Sequence, residues 1–333
     1  MSLLEGFLGG LLIGLGAAIA LLGAGEIMGF SGIITSVLTD PWGAANDPTQ
    51  QWKLAFLSSF LLSAYVVFLP YVDTELIASV PSSRYAYALS GLLVGLGTKV
   101  GNGCTSGHGI CNMARLSKRS ISAVLTFMAT AIITAIATAG PSFDFLRTSD
   151  GPTYVAPQVM ATVTAIVVAL TFYGALIHKK DAAKRIPGAL SGMVAAAGLS
   201  LSSMVYPAAV KSFLDLSGFS RGTWDATLMF VMTGGLLSSL LAYQFVPGHA
   251  ISSSCPKLSQ PLMASKFGVP TNTKIDGQLL FGAATFGVGW GVTGVCPGPA
   301  LLLTMTGLQG MVTTFWPAYF VGAKIGNTVK AYL

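Results

Sequence analysis

Long stretches of this chain hold almost no charge. Nine of them cover about Leu3–Leu22, Ala55–Val72, Tyr87–Val100, Ile121–Ala139, Val155–Ile177, Gly188–Val205, Ala226–Val246, Leu279–Val292 and Leu308–Ala323. Most have the length a helix needs to cross a hydrocarbon core roughly 30 Å thick. Only 9% of the residues are charged and 53% are hydrophobic, against roughly 25% charged in soluble domains. The expected fold class is an all-α integral membrane protein of about nine transmembrane helices, with the lipid bilayer as its partner. The first segment lacks the basic flank and small-residue cleavage site of a signal peptide, so it reads as the first span. The net charge of +6 is scattered among connections and forms no basic domain, so no nucleic acid partner is expected.

The basic residues also set a direction. Lys53, Arg115, Lys118, Arg119, Lys179, Lys180, Lys184, Arg185, Lys257, Lys266, Lys274 and Lys330 all follow odd-numbered segments, whereas Arg84, Arg147, Lys211 and Arg221 follow even-numbered ones. Lysine and arginine are retained on the cytoplasmic side. The expectation is a multi-pass protein of the cell membrane with an external N-terminus and a cytoplasmic C-terminus.

The connector His178-Lys-Lys-Asp-Ala-Ala-Lys-Arg185 divides the chain into a first half, 1–180, with five spans and a second, 181–333, with four; together they form a single membrane domain. Sliding Cys104 onto Cys296 also superposes Gly95 on Gly287 and Gly97 on Gly289. Because five crossings precede it, the second half enters the membrane from the opposite side. That is the inverted repeat common among transporters.

The third and eighth segments are the shortest, and glycine interrupts both. Short, broken segments at corresponding positions of two halves point to a transport site. Residues 105–115 and 297–306 are predicted as short re-entrant helices, with two more near Glu26–Val37 and Pro207–Leu216. A helix that begins inside the membrane presents unpaired N–H groups and the positive end of its dipole, which suits an anion.

The break Gly101-Asn-Gly-Cys-Thr-Ser-Gly-His-Gly109 combines thiol, hydroxyl and imidazole with glycines that let a ligand approach the backbone. In Val295-Cys-Pro-Gly-Pro299, proline fits the first helical turn. Cys104 and Cys296 therefore each sit before a short helix. A thiol is a weak donor and a soft partner, better matched to an exposed sulfur than to a hard oxyanion. Gly103, Ser106, His108 and Lys99 around the first break, and Pro297 and Gly298 at the second, complete the candidate path. Lys99 either serves it or snorkels to the interface. His108 either helps hold an anion or makes a structural hydrogen bond. Glu26 reads equally as gate or interface, and Cys111 as packing or path. Cys255 reads as a packing or loop thiol. Cys104, His108 and Cys111 would give zinc three ligands without a fourth, so neither a metal nor a cofactor is expected.

These two breaks, with Arg115-Leu-Ser-Lys-Arg-Ser120, the stretch from Pro261 to Gly277, and Phe286-Gly-Val-Gly-Trp-Gly-Val-Thr-Gly-Val-Cys-Pro-Gly-Pro299, resemble the YeeE/YedE family of sulfur transporters. The resemblance spans essentially the whole chain. It implies about nine spanning helices plus re-entrant ones in an inverted repeat, and a narrow path on which Cys104 and Cys296 pass thiosulfate along by S–H contacts. Some members carry a further cysteine after the first span; Leu22-Gly-Ala-Gly-Glu26 has none, which leaves room for a related sulfur anion. The function expected is uptake of thiosulfate or such an anion, with no catalysis and with a cytoplasmic sulfur-accepting protein as a further partner. The alternative from another class is a membrane thiol redox or sulfurtransferase protein acting through a reactive cysteine.

Overall fold

The computed structural model describes residues 2–78, 82–148, 151–178, 183–249 and 257–332. Lys179, Lys180 and Cys255 lie outside them. The chain is helical, and no strand is formed among the described residues. The helices that carry the fold are α1 (Leu3–Ala24), α2 (Phe30–Leu38), α3 (Pro48–Tyr71), α4 (Arg84–Val100), α5 (Thr105–Asn112), α6 (Lys118–Thr138) and α7 (Pro157–Ile177) from the first half. The second half supplies α8 (Arg185–Leu201), α9 (Pro207–Leu214), α10 (Thr227–Tyr243), α11 (Gly277–Thr293), α12 (Pro297–Met305) and α13 (Trp316–Tyr332). Each apolar segment of the sequence falls on a long helix, and each expected short helix is helical.

Five stretches are long and apolar enough to cross a bilayer: Leu3–Ala24, Pro48–Tyr71, Lys118–Thr138, Pro157–Ile177 and Gly277–Met305. They differ in burial. The last is mostly buried and forms the middle of the molecule, whereas α6 and α7 are mostly exposed. The exposed face of α6 carries Leu125 and Ile133, and that of α7 carries Phe172 and Leu176. Such apolar surface is stable only against lipid. The protein is a multi-pass membrane protein.

The helices adjoining the two breaks are longer than the apolar segments suggested. Both α4 and α11 have 17 residues, about 25 Å at 1.5 Å per residue. Hydropathy hid their first turns, because α4 opens at Arg84 on a Ser83 cap and α11 at Gly277 on an Asp276 cap.

Close packing follows the glycines. Helix α4 lies between α11 and α13, and α11 lies between α4 and α6. Likewise α1 packs on α8 and α10, and α8 on α1 and α3. A Cβ at Gly97 would stand 2.3 Å from the Phe286 backbone nitrogen, and one at Gly289 would stand 2.9 Å from the Val94 nitrogen. One at Gly95 would meet the Tyr319 carbonyl, and one at Gly287 the Phe127 carbonyl. Small residues at such crossings let backbones touch where lipid supplies no hydrophobic drive.

The connection after α10 folds back onto the end of α1. The N–H groups of Leu262, Met263 and Gly268 donate to the carbonyls of Leu22, Gly23 and Gly25. Those carbonyls end a helix and lack intrahelical partners. The segment thereby covers the helix end and brings Gly268 and Pro270 to the rim of a polar cavity described next.

Candidate functional site

Cys104 and Cys296 occupy the same local geometry. Each is the N-cap residue of a short helix in extended backbone, with φ −132° and ψ −168° at Cys104 and φ −113° and ψ 165° at Cys296. Neither side chain caps its helix. Both are buried, and both line one cavity of about 280 Å³. Hydroxyls connect them. The Cys104 Sγ lies 3.3 Å from Ser106 Oγ, and Thr105 Oγ1 donates to Cys296 Sγ at 3.5 Å. Ser106 Oγ also accepts from the Phe30 N–H that opens α2.

The rest of that cavity is apolar and soft. Met128, Met204, Met229 and Met232 share its wall with Phe127, Trp290, Gly298 and Pro299. None of the lining residues is charged. At the first turn of α12, Pro297 and Pro299 have no N–H, so Gly298 alone offers an amide there. The Phe30 ring packs on Gly298, where a Cβ would stand 3.0 Å from it, and edge-on to Phe56 and Phe60.

A second, more polar cavity of about 560 Å³ is lined by Gly29 and Ser31, the neighbours of Phe30 in the chain. Glu26, Lys53, Lys99, Asn102, Gly103, Gly107 and Asn112 line it, with the first residues of α2. Gly29 and Gly107 face one another there, and a Cβ on either would stand about 4 Å from the other's Cα. Glu26 pairs with Lys184 at 3.7 Å. Burial raises its carboxyl above the usual range, while Lys184 and Lys53 pull it back. Lys99 lines this cavity, with its stem against Gly326.

The candidate residues therefore fall into groups. Cys104, Ser106, Cys296 and Gly298 meet at the soft cavity, with Pro297 buried beside them. Lys99, Gly103 and Glu26 meet at the polar one. His108 lines neither. Its Nε2 bonds the Gly101 carbonyl at 3.2 Å and its Nδ1 meets Ser120 Oγ at 3.0 Å. A carbonyl only accepts, so Nε2 carries the proton; the imidazole then ties the break to α6. Cys111 is set apart. Its thiol donates to the Met28 carbonyl at 3.5 Å and borders a small void with Ser239 and Tyr243. No group of three or more potential metal ligands occurs among the described residues.

Phe30, Thr105 and Trp290 belong to the soft cavity but were not candidates from sequence. Thr105 and Trp290 stand inside the two motifs, so proximity to the cysteines was their only signal. Phe30 carried none.

Residues 184–331 match a family model described as "Family of unknown function (DUF6691)". Two proteins of Xylella fastidiosa (strain Temecula1 / ATCC 700964), each named "Probable transporter", are also similar. One is 40% identical over 139 residues, 42% of this chain and 85% of that protein. The other is 39% identical over 128 residues, 38% of this chain and 89% of that protein. Strain 9a5c has proteins of the same name with 40% and 38% identity. Helices buried in the middle and greasy at the rim, with cavities between them, define a multi-pass membrane protein. The chain belongs to the family of these relatives.

Proposed function

We propose that the protein is a membrane transporter for thiosulfate or a closely related sulfur anion, and that Cys104 and Cys296 contact the passenger. One observation carries this reading: two thiols, one from each half, stand at the starts of two short helices in matching geometry and line the same uncharged cavity. The relatives' names favour transport.

We read the fold as an inverted repeat of about nine crossings and four re-entrant helices, and the exchange of contacts between the halves supports the symmetry. Helix α4 receives α11 at Gly97, and α11 receives α4 at Gly289; these two glycines are the pair that superpose when Cys104 is laid on Cys296. The α3–α8 and α10–α1 contacts are likewise exchanged by such a symmetry. On this reading the polar cavity is the cytoplasmic vestibule, since Lys53, Lys99 and Lys184 gather near it. A sulfur anion passes between it and the thiols beside Phe30 and the facing glycines. The S–H groups and first-turn amides offer weak contacts, which passage requires, because a tight site would hold the ion. Sequence motifs shared with the YeeE/YedE family supply the choice of thiosulfate.

The test is uptake of radiolabelled thiosulfate into proteoliposomes, competed by sulfate, sulfite and sulfide. Cys104→Ala and Cys296→Ala are expected to abolish uptake while the protein still inserts. Full uptake by both variants would remove the assignment, and formation of a stable persulfide on either cysteine would favour sulfur transfer instead.

A further inference from the structure

Each polar side chain that lines the soft cavity has a partner in the protein except one. Thr233 Oγ1 donates to the Met229 carbonyl, Thr105 Oγ1 to Cys296 Sγ, and Ser106 Oγ joins Cys104 and the Phe30 amide. The exception is Trp290. Its side chain is 2% exposed, and its indole Nε1 has no hydrogen-bond partner. Native proteins seldom leave such a donor unpaired, because burying it without an acceptor forfeits its hydrogen bond to water. The ring is fixed in place, stacked on Phe286 at 6.2 Å and edge-on to Phe127 at 6.0 Å. It stands one helical turn before the break that leads to Cys296.

Indole nitrogen can only donate, so what is missing beside it is an acceptor. The cavity's other donors are of the same modest kind, two thiols and the Gly298 amide, with no ammonium or guanidinium among its lining residues. Of two dianions, the one with oxygen atoms alone gains less from such contacts in place of its water. A soft ion with an exposed sulfur lone pair gains more, since sulfur needs less hydration and matches S–H and N–H donors.

We infer that Trp290 is a specificity-determining residue, whose indole N–H donates to the passenger while it occupies the cavity between Cys104 and Cys296. The inference rests on the transport reading and adds the requirement that the passenger present a soft acceptor. Sulfate lacks that acceptor, so it is expected to bind more weakly.

The experiment uses the full chain in detergent, with indole nitrogens labelled with ¹⁵N. Five tryptophans give five indole signals, and Trp290→Phe identifies one by its loss. Thiosulfate is expected to move that signal, and sulfate at equal concentration to leave it in place. In proteoliposomes, Trp290→Phe is expected to lower kcat/KM for thiosulfate about tenfold, chiefly through KM, as the loss of one hydrogen bond would. A signal that stays still under thiosulfate, in protein whose uptake is intact, overturns the inference and leaves transport standing. An equal shift with sulfate overturns the selectivity. Failure of the wild-type protein to take up thiosulfate removes both.

Discussion

A single methyl group separates glycines that hold helices together from those that keep a way open. A Cβ at Gly95 would stand 2.0 Å from the Tyr319 carbonyl. Gly95→Ala must push α4 away from α13, and overpacking of that kind costs about 1–3 kcal/mol; a lower melting temperature in detergent checks it. At Gly107 a Cβ would meet nothing closer than 3.9 Å. Gly107→Ala is expected to melt like the parent and to slow uptake, because the methyl enters the gap facing Gly29. Equal uptake with equal stability would show that the passenger does not use this gap. Cys104, Cys296, Gly95 and Gly287 were legible in the sequence because sulfur and glycine stand out in apolar runs and recur in register. Phe30 and Trp290 were not, since an aromatic in an apolar run has no mark of its own. Their positions arise from packing that only folding brings about: Phe30 against Gly298, and Trp290 on the wall of the cavity that both thiols line.

Among the elements, the start of α11 is held by one carboxylate. Asp276 accepts from the Leu279 N–H and pairs with Arg119 of α6 at 2.9 Å. Replacing it with Ala removes an N-cap, worth about 1 kcal/mol. Burial works against the Asp276 carboxylate, but Arg119 and the Leu279 amide outweigh it and hold the carboxyl below its usual range. A depressed carboxyl stabilises the fold above its unfolded pKa, and that contribution disappears as pH falls through the folded value. Asp276→Asn keeps the cap and loses the charge. Its melting temperature is therefore expected to trail the parent's at neutral pH and to converge with it below about pH 4. Hydropathy located α4 and α11 yet missed their first turns. It marks what lipid will touch, and a helix that begins on Ser83-Arg84 or Asp276-Gly277 is already turning before lipid is reached. The four short helices were legible for the opposite reason, because glycine and proline announce where backbone changes direction.

At the scale of the whole molecule, the halves interlock. Helix α1 packs on α8 and α10, and α4 on α11 and α13, so neither half covers its own inner faces. The relatives are shorter chains that match well under half of this one. Residues 1–183 and 184–333 produced as separate chains are expected to assemble and regain uptake when made together. Either one made alone should be degraded. Recovery of a stable, folded single half would show that the interlocking is dispensable. The basic connector and the matched cysteines suggested the two halves. The depth of their entanglement was not, because which helix crosses which is decided by close approaches such as Gly97 to Phe286.

Phe30 couples two events that are otherwise distant. Its amide is held by Ser106 on one short helix, and its ring rests on Gly298 of another, beside Cys296. The backbone of Phe30 thus fixes one helix start while its ring covers the other. On the proposed transport reading, a membrane carrying this protein at rest should therefore show no standing leak, and Phe30→Ala should introduce one.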